Sequence, residues 1–298
     1  MNAMDETFAL NATNELTEHV TYHKLALMEK NTANRDALER LSVQEKTHYE
    51  FWQSLLPEAK AKAIRARWYT VWGVSFLRVA FGVTFITKFL ETHETGAVGK
   101  YQSMLGSIPE SHKARFLQII EDEKSHERAL IAQLKEKRVS YIGFVVLGLA
   151  DAIVEITGVH AGFLGVTGST LIAGIAGVIV GFSAAISMGS AGYLQAKQDP
   201  EKSALLSGFI TWASYFCSVI LLALPYFLIR VMIPAFIVSA SVGILLVAAF
   251  TFYGAVVFDR TFWREFAETV TLMLATALAT FLLGIVVGGI FHINTGSF

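Results

Sequence analysis

Two textures of sequence meet near residue 138. Before it, apolar positions recur at helical spacing among charged ones. After it, apolar runs of about 20 residues follow one another with little interruption. The first texture predicts amphipathic helices over about 8–29, 32–55, 68–104 and 110–137, with Asn31 and Pro109 at breaks. The second predicts five membrane-spanning helices at about 141–165, 169–193, 204–228, 232–257 and 267–292. Pro200, Pro225 and Pro234 fall at or beside the turns between them. The expected fold class is all-α: a four-helix bundle over 1–138, then a membrane domain with five transmembrane helices over 139–298. The stretch "WYTVWGVSFLRVAFGVTFITKFL" at 68–90 is nearly long enough to span, but it contains Arg78 and Lys88. It is expected to be a buried helix of the soluble bundle, with contact to the membrane surface left open.

Charge follows the same division. Of 24 Lys and Arg, only Lys197, Lys202, Arg230, Arg260 and Arg264 lie beyond residue 138, and only seven of 25 Asp and Glu do. All of these basic residues except Arg230, together with Lys135, Lys137 and Arg138, fall on one side of the membrane. The positive-inside rule makes that side the cytoplasm, with the N-terminus in and the C-terminus out. The acidic start "MNAMDETFALNATNE" lacks the pattern of a signal peptide. A net charge of -1 argues against nucleic-acid binding. Cys217 is the single cysteine, so neither a disulfide framework nor a cysteine metal site can form within the chain.

The polar half carries a duplicated pattern. Glu15 is followed seven residues later by Tyr22, and Glu94 seven residues later by Tyr101. After each pair comes an E-x-x-H: Glu45 with His48, and Glu123 with His126. Glu and His at i and i+3 share one helix face. One such motif is most often a solvated face. Two copies at matched spacing, each after a Glu-bearing helix, match the donor inventory of di-iron carboxylate bundles. Glu91 adds a further carboxylate beside Glu94 in "ETHE". Glu18, one turn from Glu15, is either an extra ligand or exposed. His19 and His93 flank the ligands in surface or supporting positions. Tyr22 and Tyr101 are either hydrogen-bond donors to the ligands or ordinary core.

In the membrane half, Asp151 and Glu155 share a helix face within an apolar span, where carboxylates are costly and mark function. His160 further along reads as a satisfied helix-end histidine. Ser187 and Met188 lie among small residues that let helices approach. A lone membrane methionine is usually packing, though its thioether can also serve as a soft ligand for a transition metal.

"ETHE" with two E-x-x-H motifs resembles the rubrerythrin branch of the ferritin-like superfamily, over about 8–137. "LGLADAIVEITGVHAGFLG" and "SMGSAGYL" resemble the first two spans of the vacuolar iron transporter (CCC) family, over about 139–293. Together they resemble the membrane-bound ferritin type of prokaryotic iron exporter. The resemblance implies a ferritin-like di-iron domain with Glu15, Glu45, His48, Glu91, Glu94, Glu123 and His126 as ligands. It implies a transport path through Asp151, Glu155, Ser187 and Met188. It implies exchange of Fe(II) for protons, a homodimer, and a place in the prokaryotic cytoplasmic membrane. The chain departs from these families in three places. The loop between spans two and three is only "QAKQDPEKS", Gly192 replaces an acidic residue, and the cysteine iron site of rubrerythrins is absent. Two alternatives stay open: a manganese transporter of the same architecture, and a membrane-anchored di-iron oxidase or peroxidase. Ferroxidase activity of the bundle is an open question within the main reading.

Overall fold

A computed structural model describes the backbone at 3–94, 97–131 and 137–291, and the side chains at 4–90, 99–123 and 139–291. The protein is all-α, with twelve helices among the described residues. It divides into two compact units, Met1–Glu136 and Lys137–Phe298.

In the first unit, α1 (Ala3–Leu27) and α2 (Thr32–Ser54) form an antiparallel hairpin. Asn31 stops one helix and starts the next: its side chain accepts the Asn34 N–H at 3.2 Å, satisfying a donor the helix start leaves open. Phe8 meets Trp52 at one end of the hairpin, and His23 meets Glu39 at the other. The short α3 (Glu58–Ala61) leads to α4 (Trp68–Phe81). α4 runs parallel to α1: the Arg67 N–H donates to Thr17 Oγ1, Lys24 Nζ sits over the Trp72 ring, and Arg78 donates to the Met28 carbonyl and to Glu29. α5 (Val83–Glu94) and α6 (Ala97–Met104) follow, then a 3-10 turn at Leu105–Ser107 and α7 (Glu110–Ile131). α6 descends beside α1, with Tyr101 at the level of Glu15 and Lys100 at Asn11. α7 rises beside α2, with Phe116 against Phe51 and Glu123 against His48. The bundle is therefore α1 up, α2 down, α6 down and α7 up, closed by one long crossover.

Two expectations are corrected here. Residues 68–104 do not form one helix. Gly82, at φ 89° and ψ 165°, adopts backbone that is essentially glycine-only and turns the chain. α4 is the crossover, and the third bundle helix begins only after it. Nor is 68–90 buried throughout. Only Val71, Val74 and Ser75 of α4 are buried, while Tyr69, Trp72 and Phe76 are 76%, 63% and 75% exposed. Their aromatic character predicted helix and burial alike, but a crossover lies on the outside of a bundle.

Beneath the upper half of the bundle lies an aromatic cluster. Trp52 packs on Phe51, Tyr101 and Phe116, with ring centroids 5.3 Å away in each case. It ties α2 to α6 and α7, and each such buried ring contributes about 1.5–3 kcal/mol.

The second unit holds α8 (Lys137–Val166), α9 (Thr170–Ala196), α10 (Ala204–Leu228), α11 (Met232–Phe258) and α12 (Phe262–Ile290). All five are long and apolar enough to cross a membrane. Ser169 and Ser203 cap α9 and α10 through the N–H groups of Ile172 and Leu206. α8 is the hub and packs against the other four. Glycine permits the closest approaches: a Cβ on Gly208 of α10 would sit 2.8 Å from the Gly189 carbonyl of α9.

Gly82→Ala places a side chain in backbone that disfavours it, and is expected to cost about 1–3 kcal/mol. Denaturant unfolding of the purified protein checks this. An unchanged midpoint would mean the turn relaxes without cost.

Candidate metal centre

Four side chains that the sequence nominates converge inside the first unit. Glu15 comes from α1, Glu45 and His48 from α2, and Glu123 from α7. One donor atom from each lies within 4.8 Å of all the others. The i, i+3 spacing aims Glu45 and His48 from one face of α2, and the antiparallel neighbours bring Glu15 and Glu123 to meet them. His48 Nδ1 is 3.4 Å from Glu45, 3.4 Å from Glu123 and 3.7 Å from Glu15. Asp122 approaches the other ring nitrogen at 4.0 Å.

These contacts hold charges close without pairing their lone pairs and protons. Glu15 Oε2, Glu45 Oε2 and both His48 ring nitrogens are buried with no hydrogen-bond partner of good geometry. Buried polar atoms are almost always partnered, and three of these orphans, Glu15 Oε2, Glu45 Oε2 and His48 Nδ1, meet at one place that a ligand would satisfy. Glu15 Oε1, by contrast, is fixed: Tyr101 donates to it at 2.6 Å and Trp52 Nε1 at 3.3 Å. One oxygen is anchored and the other left open, which is how a supporting shell orients a metal ligand.

Electrostatics agree. Burial, with the neighbouring Glu15 charge, holds the Glu45 carboxyl well above its ordinary range despite the pull of His48. Burial and Glu15 raise Glu123 in the same way. Burial also opposes charge on Glu15, but His48, Glu45 and Tyr101 outweigh it and hold that carboxyl low. Burial opposes charge on His48, yet the Glu123, Glu15 and Glu45 carboxylates raise it strongly. The phenol of Tyr101 is pushed up by burial and by the Glu15 and Glu123 charges, so it keeps the proton it donates. Without a cation the site must hold protons; a divalent ion can replace them. Oxygen donors with one imidazole suit Fe(II), Mn(II) and Zn(II).

No family model, curated protein or solved structure matches the chain.

Of the other nominated residues, Glu18 is half-buried. It stands outside the converging four but near enough for its charge to oppose that of Glu45. The side chains of Glu91, Glu94, His93 and His126 lie outside the described residues. His19 ties α1 to α2 through the Ser42 carbonyl at 2.8 Å. Tyr22 is fully buried. In the membrane unit, Glu155 is half-buried and accepts a hydrogen bond from Tyr215 of α10, and Asp151, one turn away, is exposed on the unit. Met188 packs against the cluster built around Ile153, Ile156 and Tyr215, while Ser187 is exposed.

No motif singles out Trp52, Asp122 or Tyr215. Trp52 was findable, since it follows His48 by four residues and so shares its helix face. Asp122 looked like one acid among several in "EDEKSH". Tyr215 sits in an apolar run and acquires its partner only through packing.

Above about pH 6.5, His48 retains in the metal-free fold a proton that the unfolded chain releases, and burial keeps the raised Glu45 and Glu123 carboxyls protonated beyond the point where the unfolded chain loses those protons. Glu15 is ionised in both states there and does not compensate. The raised groups stabilise at low pH and lose that contribution as pH rises, so metal-free stability should fall by about 1.4 kcal/mol per pH unit for each retained proton. Mn(II) displaces those protons, so its stabilising effect should be larger at pH 8 than at pH 6. Thermal unfolding followed by near-UV circular dichroism, with and without Mn(II), checks both slopes. Equal Mn(II) effects at the two pH values would contradict this assignment of protons.

Proposed function

We propose that the protein is a membrane metal transporter that exports Fe(II) in exchange for protons, with a cytoplasmic di-metal bundle that captures the ion. The observation that carries this reading is one chain holding both a buried Glu15/Glu45/His48/Glu123 donor set and five membrane-length helices. A membrane anchor alone needs neither five spans nor carboxylates within them. The up-down-down-up bundle with a single long crossover is the connectivity of ferritin-like folds, in line with the resemblance of the motifs. By the resemblance of the motifs, Glu91, Glu94 and His126 would be the further ligands of a two-ion site.

The bundle residues divide the work. Glu15, Glu45, His48 and Glu123 bind, and Tyr101 and Trp52 fix one Glu15 oxygen so that the other points at the ion. Ions bound there neutralise the carboxylates and give the protein a captive pool of Fe(II). In the membrane unit, Asp151 and Glu155 alternate between metal and proton, because a carboxylate must lose its proton to bind a cation. Tyr215 orients Glu155 by donating to one of its oxygens. Met188 offers a soft sulfur that prefers Fe(II) to Mg(II) or Ca(II). The donor types accept Mn(II) as well, which makes manganese the competing substrate.

Fe(II) flux in proteoliposomes under an imposed pH gradient tests the reading. Wild type should carry Fe(II) with proton dependence, Asp151→Asn should lose it, and Glu45→Ala with Glu123→Ala should lower capture while leaving flux at saturating Fe(II). Oxygen or peroxide consumption by the bundle, with no metal flux in wild type under any gradient, would instead support a membrane-anchored oxidase.

A further inference from the structure

α8 carries another buried polar group that transport of the metal leaves unused. His160 has no exposed surface, and neither ring nitrogen has a hydrogen-bond partner. The sequence suggested a satisfied helix-end histidine. It is instead unsatisfied and lies inside the helix, which continues to Val166. Leaving a buried polar atom unpaired is costly, and this ring has two such atoms.

Three helices make room for it. Gly177 of α9 faces the ring, and a Cβ there would collide with Nε2. Tyr226 of α10 packs on it with ring centroids 4.0 Å apart. Thr157, one turn earlier on the same face of α8, is also buried with a free hydroxyl. Thr211, Thr251 and Thr280 instead spend their hydroxyls on carbonyls of their own helices, at 3.0, 2.6 and 2.8 Å. The Tyr226 hydroxyl has Ser239 of α11 as its polar neighbour. Ser239 donates to the Leu222 carbonyl at 2.7 Å, and no bond of good geometry joins the two hydroxyls. Among the described residues, no carboxylate or cation pairs with His160; Tyr226 is the titratable group that faces it.

His160, Thr157 and Tyr226 thus bring orphaned donors and acceptors into one apolar span. Two to four such groups are what a buried water requires. With a rise of about 1.5 Å per residue, His160 stands about 7–8 Å past Glu155, toward the end where α8 passes into α9. An imidazole with neither nitrogen committed to a hydrogen bond can take a proton at one and release a proton from the other.

We propose that His160, with Thr157 and Tyr226, holds ordered water and is the proton-accepting station between the 167–169 end of the membrane unit and the middle of the span. A proton from water at that end adds to one ring nitrogen. The proton on the other nitrogen leaves through water past Thr157 toward mid-span, and only N–H and O–H bonds form or break. The station gives protons an entry separate from the metal's, and it rests on the transporter reading above.

The test is Fe(II)-driven proton counterflow in proteoliposomes of the full-length protein, read by an internal pH dye beside the Fe(II) flux. His160→Gln should keep downhill Fe(II) flux but lose proton counterflow and the acceleration by an imposed pH gradient. A wild-type proton-to-iron ratio in His160→Gln would overturn the proposal, as would wild-type flux that moves no protons. If His160→Gln is not recovered as a folded, monodisperse species, Tyr226→Phe keeps the packed ring and removes a water partner; an unchanged ratio in it overturns the proposal equally. Failure of the transporter reading would show differently, as absent Fe(II) flux in the unsubstituted protein, and the station falls with it.

Discussion

Like charges do not share a dry core unless something neutral or positive is placed among them. Glu15, Glu45 and Glu123 meet around His48 with almost no solvent. Their mutual repulsion and desolvation are the constraint to which the rest of the bundle answers. Two helices must be held antiparallel so that Glu15 faces the Glu45–His48 pair, and α7 must rise beside α2 to bring Glu123. The aromatic cluster of Trp52, Phe51, Tyr101 and Phe116 locks those helices one turn below the site. Two of its members, Trp52 and Tyr101, also spend their polar atoms on Glu15. The same residues thus supply apolar packing and ligand orientation. An ion in the centre would turn the repulsion into attraction without moving a helix.

The membrane unit faces a related constraint with less to offset it. Apolar helices gain little from associating in lipid, so close packing at glycines must hold them. Carboxylates and an imidazole on α8 then stand among four packed neighbours, and each has been given a distinct environment. Glu155 has the Tyr215 hydroxyl, Asp151 is exposed on the unit, and His160 has a pocket made by a glycine. Three environments for three polar side chains on one helix are the features on which the proposed transport function draws.

Much of this was legible in the residues because it depended on period and length. The five apolar runs declared themselves, and the two E-x-x-H motifs put their donors on one face by arithmetic alone. What escaped depended on the third dimension. Whether Tyr69, Trp72 and Phe76 were core or surface could not be read from their apolar character, because a crossover helix and a bundle helix share the same periodicity. Gly82 looked like any helix glycine until its φ was known. Tyr215 and Asp122 became neighbours of functional groups only when helices distant in sequence packed. His160 looked ordinary because a helix-end histidine usually finds a partner, and only the packed structure shows that no protein group is placed to bond its ring nitrogens.

The central claim is that the Glu15/Glu45/His48/Glu123 cluster is a metal centre. Its most direct test is metal content and Mn(II) electron paramagnetic resonance on full-length protein loaded anaerobically and passed through a desalting column. Retained Mn(II) with the broadened signal of neighbouring ions is expected, lost in Glu45→Ala with Glu123→Ala but kept in Asp151→Asn. Wild-type protein that emerges with no bound metal, or with the same metal content as the cluster variant, would contradict it.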